Sequence, residues 1–158
     1  MENKIDQDNI NLAINAARKF ISYRPRSESE LKRRLLQKFD SIIVDETISQ
    51  MHRENLLDDK RFAQMWVNSR NSSRPKSAFM IIKELKEKGV SKIDAETAVL
   101  KVNDQENALA IATKKSRSLK DLPKTEYDKK LTAHLTRRGF GFNTIQTSIA
   151  LAWQEMHQ

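Results

Sequence analysis

The sequence predicts an all-α protein: a tandem array of three three-helix repeats, nine helices in total, elongated and curved. Three segments align at a constant offset of fifty residues, with apolar residues in register at Leu31, Ile81 and Leu131 and at Leu35, Leu85 and Leu135. A fixed period of this size is typical of a chain built from copies of one small unit. Apolar spacing is helical throughout, and no period-2 segment has the length of a strand. Because each copy is too short to bury its own core, stacking of neighbouring copies must complete it.

The predicted repeats cover residues 1–58, 59–104 and 105–158. The chain contains three glycines and three prolines, and all six fall where a predicted helix begins or ends. No stretch resembles a long flexible linker. The repeats therefore follow one another directly.

The first repeat begins with a helix whose apolar face is formed by Ile10, Ile14, Ala17 and Ile21. Ser27, with Glu30 three residues later, forms a capping box and predicts the start of a second helix that runs to about Lys38. A third helix is expected over roughly residues 45–53. Each of these segments has the period of an amphipathic helix.

Phe39 occupies the position at which the other two copies have Gly89 and Gly139. A glycine there closes a helix in the left-handed conformation without a Cβ clash. Phenylalanine in that conformation would cost on the order of 1 kcal/mol or more. We therefore expect the first repeat to leave its second helix by a different turn, at Asp40-Ser41, with the Phe39 ring buried.

The second repeat starts at Asp58-Asp59, a capping and helix-dipole signal for a fourth helix. A fifth helix follows Pro75, which fits a first turn because its missing N–H would have no partner there. Gly89 ends this helix. A sixth helix is expected over about residues 92–102.

The third repeat is predicted to contain a seventh helix over about residues 105–117 and an eighth from near Thr125 to Gly139. A ninth helix is expected to start near Asn143, since Gln146 lies in the capping-box position relative to it.

The composition is typical of a protein with a large solvent-exposed surface, since 38% of its residues are apolar and 32% are charged. No apolar run approaches the roughly 20 residues that cross a bilayer, and the amino terminus lacks the apolar core of a signal peptide. The absence of cysteine excludes disulfides and thiolate metal sites. We expect a cytoplasmic protein with no membrane contact.

The net charge is +8, and its distribution is uneven. The first repeat is neutral, whereas the second and third each carry +4. A basic excess raises the odds of a polyanionic partner, whether nucleic acid or an acidic protein surface. The alternative is that lysine and arginine, as good helix formers, simply solvate the outer faces of the helices.

Nothing in the sequence predicts an enzyme. The three histidines, His52, His134 and His157, lie on different predicted helices and lack metal-ligand spacing. No phosphate-binding glycine loop or nucleophile elbow occurs, and the paired carboxylates lie at helix starts, where capping explains them. We therefore expect no catalytic residues, no cofactor and no metal.

The aromatic residues divide into two kinds. Trp66 and Trp153 lie on apolar faces and are expected in the core. Tyr23 precedes the loop between the first two helices, where it either plugs the loop or stacks on a base. We favour the plug.

Several short motifs follow one another over about residues 13–153. They are Ser27/Glu30/Leu31, Leu56-Leu57-Asp58-Asp59, Arg61-Phe62-Ala63, Lys88-Gly89 and Arg137-Arg138-Gly139-Phe140. In this order they resemble the RecX family of regulatory proteins. Each is weak alone, whereas their order and spacing together are specific. The resemblance implies a regulator that binds the RecA recombinase and its filament on single-stranded DNA, and inhibits recombinase, ATPase and co-protease activities. It also leaves room for a weak direct contact with DNA. Separately, we expect the protein to be a monomer.

The candidate binding residues are basic side chains on the predicted helices and at their ends, and those at helix ends are expected to be exposed. They are Arg24, Arg26, Arg33, Arg34, Arg70, Arg74, Lys76, Lys83, Lys114, Lys115, Arg137 and Arg138. One alternative is a basic helical DNA-binding module that acts without RecA, although no helix concentrates base-reading side chains on one face. Another is a structural adaptor that does not touch nucleic acid.

Overall fold

The computed structural model describes residues 6–158, and these residues form nine α-helices and one short 3₁₀ turn, with no strand among them. The helices are α1 (Gln7–Tyr23), α2 (Glu28–Leu35), α3 (Ser41–Arg53), α4 (Asp59–Ser73), α5 (Ala78–Glu87), α6 (Lys92–Ala98), α7 (Asp104–Ser116), α8 (Lys124–Thr136) and α9 (Phe142–Met156), with the 3₁₀ turn at Arg117–Leu119. The predicted all-α class is confirmed. The predicted repeat boundaries, after residues 58 and 104, stay predictions.

The described residues divide into two compact units. The first contains residues 6–65 together with Leu85–Ala95, and the second contains Trp66–Glu84 and Glu96–Gln158. In the first unit, α1, α2 and α3 pack against one another around a core of Ala17, Leu31, Leu35, Val44, Ile48, Met51 and Leu57. Burial of this apolar face is the main stabilising term.

In the second unit, α7, α8 and α9 pack around a larger core of Ala108, Ile111, Ala112, Leu119, Tyr127, Leu131, Leu135, Phe140, Ile145, Ile149 and Ala152. The Tyr127 ring is fully buried, and its hydroxyl lies 2.6 Å from that of Ser116. Trp153 meets the Tyr127 ring edge-on, with the ring centroids 4.8 Å apart. The hydrogen bond satisfies the one polar atom that the tyrosine brings into the core.

The amino ends of α2 and α5 are held in the same way. A buried serine caps each helix: the Ser27 side chain accepts from Glu30 N, and the Ser77 side chain accepts from Met80 N. An aspartate at the start of a later helix adds a second acceptor, since Asp59 accepts from Glu28 N and Asp104 from Ala78 N, at 2.9 and 2.8 Å. These contacts satisfy N–H groups that have no partner within the helix.

The serine caps also tie each amino end to a helix end that is distant in sequence. Ser27 Oγ donates to Lys88 O at 2.5 Å within the first unit, and Ser77 N donates to Arg138 O at 3.1 Å within the second. The two carbonyls immediately precede Gly89 and Gly139. Both glycines have a positive φ, +81° and +86°, which confirms the predicted left-handed helix ends.

Phe39 leaves its helix differently, as expected. It has no positive φ, and its half-buried ring packs against the core of the first unit. Helix α2 ends at Leu35, three residues before the predicted end at Lys38, because Lys38 N and Phe39 N both donate to Leu35 O. Asp40, in extended backbone conformation, then precedes α3, and its side chain makes no capping hydrogen bond.

Two other helix limits differ from the sequence prediction. Helix α3 begins four residues before the expected Asp45, since the extended backbone at Asp40 already permits the first helical bond, Val44 N to Asp40 O. Helix α6 ends at Ala98, well before the predicted Val102, because tight turns follow it. Such limits depend on turn geometry that the apolar period does not record.

Two predicted helix starts were wrong in detail. Pro75 lies in the loop before α5 and not in its first turn, because Ser77 is the residue that caps the helix. The capping box at Asn143 and Gln146 does not form: α9 starts at Phe142, and Gly141 precedes it in extended conformation.

Candidate anion-binding cleft

A cleft of 640 Å³ opens on the second unit, between the loop after α4, the second half of α7 and the end of α8. Its lining is basic and contains no carboxylate. The lining residues are Ser73, Arg74, Pro75, Lys76, Ile111, Lys114, Lys115, Ser118, His134, Arg137 and Arg138. Six cationic side chains therefore face one space.

Backbone contacts hold the walls of the cleft together. Ser77 N donates to Arg138 O at 3.1 Å, which ties the α4–α5 loop to the end of α8. The Arg138 guanidinium donates back to the carbonyl of His134 at 2.9 Å, one helical turn earlier. Gly139 lets the chain turn directly after these cations without a side chain that would displace Ser77. The cations are consequently brought together by the fold.

The positive charge in the cleft is largely uncompensated. Lys76 forms an ion pair with Glu84. Among residues 6–158, no carboxylate forms an ion pair with the remaining five cations of the lining, which are Arg74, Lys114, Lys115, Arg137 and Arg138. Close cations without counter-charges attract anions into the space between them.

The pKa of His134 is lowered to about 4, first by burial and then by the positive charges of Arg138, Lys115 and Arg137. Burial also lowers the pKa of Arg138, followed by the charge of Arg137. Part of each shift therefore comes from neighbouring positive charges. An anion with several negative oxygens would offset that part.

We expect the stability of the protein to fall as the pH is lowered from about 6.5 to about 4. The reason is that the His134 pKa is depressed from 6.5 to about 4 on folding, so the unfolded chain binds the proton first over that window. Urea unfolding at a series of pH values, compared between the protein and His134→Gln, measures the histidine's share. An NMR titration giving His134 a pKa of 6.5 or above would contradict the prediction.

The structure places the twelve candidate residues in two sets. Arg24, Arg26, Arg33 and Arg34 lie in the first unit, and the other eight lie in the second. Six of those eight line the cleft: Arg74, Lys76, Lys114, Lys115, Arg137 and Arg138. Lys83 is exposed on α5 outside it, and Arg70 also lies outside the lining.

The expected exposure of Arg70, Lys76 and Arg138 was wrong, since all three side chains are half-buried. Arg70 and Lys76 form ion pairs with Glu84 on α5, which also accepts a hydrogen bond from the indole N–H of Trp66 at 2.7 Å. Arg24 also has an acidic partner, since both of its terminal guanidinium nitrogens donate to the carboxylate of Glu30. Arg70, Lys76 and Arg24 are therefore each held in place by a carboxylate of the same chain.

The aromatic predictions had different outcomes. Trp153 packs against the core of the second unit, as predicted, whereas Trp66 is half-buried with its indole nitrogen bonded to Glu84. The prediction that the Tyr23 ring plugs the loop after α1 was wrong, because Tyr23 is 72% exposed.

His134 and Ser118 line the cleft but were not candidates. Arg74 and Lys76 of the cleft's first wall were already candidates, and their segment Arg74-Pro75-Lys76-Ser77 repeats Arg24-Pro25-Arg26-Ser27 at the fifty-residue period. No such signal exists for His134, because its position in the cleft depends on the packing of α8 against α7 and the loop after α4.

Over residues 6–158, no group of three or more potential metal-ligating side chains comes together. Within that same part of the chain, no helix has both the length and the apolar character needed to cross a membrane.

Comparison with known proteins identifies relatives along almost the whole chain. Three family models match in order: the first three-helix domain of RecX over residues 13–51, the second over 58–99 and the third over 103–149. The helices of residues 6–158 therefore belong to an all-α fold of three three-helix repeats.

Curated relatives and solved structures agree with the family models. A protein named regulatory protein RecX from Corynebacterium efficiens is 37% identical over 129 residues, which cover 76% of this chain and 61% of that protein. Another of the same name from Pelodictyon phaeoclathratiforme is 31% identical over 88% of both chains. The crystal structure of RecX from Lactobacillus salivarius, 24% identical, superposes with a TM-score of 0.81 over 92% of this chain and 97% of that one.

Proposed function

The chain belongs to the RecX family of regulatory proteins, and we propose that it binds the RecA recombinase and its filament on single-stranded DNA and inhibits recombinase, ATPase and co-protease activities. It acts by binding, without catalysing a reaction of its own. The observation that carries the proposal is the cleft in the second unit, where six cations converge without a carboxylate in the lining.

Such a cleft suits a filament, which presents the carboxylates of a protein and the phosphates of DNA side by side. Either group would be attracted by the five cations that lack an acidic partner. Binding of this kind weakens as salt screens the charges and competes for them. Inhibition of RecA should therefore fall as the salt concentration rises.

We expect Lys114→Gln with Arg137→Gln to raise the concentration needed for half-inhibition of RecA-filament ATPase about tenfold. Both side chains are exposed and line the cleft, and neither forms an ion pair with a carboxylate in residues 6–158, so the fold should tolerate their loss. The measurement is an ATPase titration of RecA on single-stranded DNA at two salt concentrations.

The matched control is Lys129→Gln with Lys130→Gln, which removes the same charge from exposed positions of α8 outside the cleft. Its potency should stay within about twofold of the unaltered protein. Equal potency of the two double variants, at both salt concentrations, would overturn the assignment of inhibition to the cleft. Arg70→Glu is unsuitable here, because Arg70 pairs with Glu84 and its loss would disturb the fold.

The same cation set favours a second candidate function, a basic module that binds DNA without RecA. The two are separated by the shift of labelled single- and double-stranded DNA at physiological salt. Weak binding that RecA strengthens supports the regulator, whereas tight binding without RecA supports the module.

A further inference from the structure

A second groove, of 370 Å³, lies on the first unit beside the carboxyl ends of α1 and α2. It is separate in sequence from the cleft of the second unit and combines aromatic with basic side chains. Its lining consists of Ala16, Lys19, Phe20, Tyr23, Arg34, Leu35, Lys38 and Phe39. The volume falls within the roughly 300–1,000 Å³ of ordinary ligand sites.

Two aromatic rings of this groove are in opposite situations. The Phe20 ring is half-buried and covered by cations, with Arg26 Cζ 3.8 Å and Arg34 Cζ 5.6 Å from its centroid. Tyr23, one turn later on α1, leaves 72% of its side chain exposed, and no other ring or cation among residues 6–158 stacks on it. An aromatic face is therefore available at the rim.

The three cations of the groove also lack acidic partners within residues 6–158. Neighbouring basic residues on the same helices are paired, Arg18 with Glu54 and Lys32 with Asp45. In the described part of the chain no carboxylate forms an ion pair with Lys19, Arg34 or Lys38, and all three side chains are exposed. The carboxyl ends of two helices supply roughly half a negative charge each, which three full positive charges exceed.

We propose that this groove binds single-stranded nucleic acid, with one base stacked on Tyr23 and the adjoining phosphates paired with Lys19, Arg34 and Lys38. An exposed ring beside cations without acidic partners is the combination by which proteins hold single strands without reading their sequence. A duplex keeps its base faces stacked and offers none to Tyr23. An acidic peptide would use the cations and leave the ring unused.

The test is fluorescence anisotropy of a labelled oligothymidylate, compared with an oligonucleotide of the same length whose bases are absent, without RecA. Tyr23→Ala should weaken binding of the oligothymidylate at least about fivefold, since stacking contributes about 1–3 kcal/mol per base. It should leave binding of the abasic strand unchanged. Tyr23→Phe, which keeps the ring, should bind like the unaltered protein.

Leu12→Ala is the matched control, because Leu12 is also an exposed side chain of α1, at 58%, and lies outside the groove. Lys19→Gln with Lys38→Gln should weaken binding of both strands equally and reduce its salt dependence. Equal binding of the oligothymidylate by Tyr23→Ala and Leu12→Ala would overturn the stacking site. A preference for polyglutamate over both strands would overturn it in favour of an acidic protein partner. None of these measurements contains RecA, so their failure leaves the proposed function standing.

Discussion

Gly89→Ala is expected to destabilise the protein by about 3 kcal/mol. Gly89 has a φ of +81°, and an L-residue in that region costs roughly 1–2 kcal/mol. A Cβ at this position would also overlap the Cβ and Oγ of Ser29 on α2, which adds about 1–3 kcal/mol of overpacking. Both effects destabilise the contact between the start of α2 and the end of α5, within the first unit. Urea unfolding followed by circular dichroism measures the change.

The chain supplies its own control in Gly141→Ala. Gly141 has a φ of −79°, and no atom lies within 4 Å of the Cβ that it would gain, so this change should stay within about 1 kcal/mol. Adding Ser29→Gly to Gly89→Ala removes the overlapping atoms and should recover about half of the loss, leaving the backbone strain. A Gly89→Ala protein as stable as Gly141→Ala would show that the glycine is not required.

The left-handed glycines show how far the repeat pattern alone could predict the fold. The fifty-residue offset placed Gly89 and Gly139 at helix ends, and the capping box at Ser27 and Glu30 formed as expected. What packs against those glycines, Ser29 and Ser77, could not be predicted, because it depends on residues some sixty positions away. The positive φ of Asn55 left no signal in the repeat either.

The candidate cleft was predictable in charge but not in geometry. Counting charges located the basic excess in the second and third repeats, and six of the candidates do line one cleft. The same count also selected Arg70, because its partner Glu84 is fourteen positions away and outside the spacing at which helical neighbours pair. The sequence shows which residues are charged, but whether a carboxylate pairs with a given cation depends on the fold.

Glu84→Gln is expected to cost about 2–3 kcal/mol of stability. The Glu84 carboxylate is 12% exposed and accepts from Trp66 Nε1 at 2.7 Å, from Arg70 Nε at 2.8 Å and from Lys76 Nζ. Glutamine keeps one acceptor oxygen but no charge, so two half-buried cations lose their counter-charge. Glu87→Gln is the matched control on the same helix, since that side chain is exposed, and it should change stability by no more than about 0.5 kcal/mol.

The effect of Glu84 should depend on pH in a direction that its surroundings determine. Burial acts to raise the pKa of Glu84, but hydrogen bonds from Lys76, Trp66 and Arg70 outweigh it and hold the pKa below the ordinary 4.5. A carboxyl group with a lowered pKa stabilises the folded state above its unfolded pKa, and this contribution is lost as the pH falls through the folded value. The stability difference between the protein and Glu84→Gln should therefore be full at pH 7 and shrink below about pH 4.5. A difference that is constant from pH 7 to pH 3 would mean that the charge of Glu84 is not what holds Arg70 and Lys76 in place.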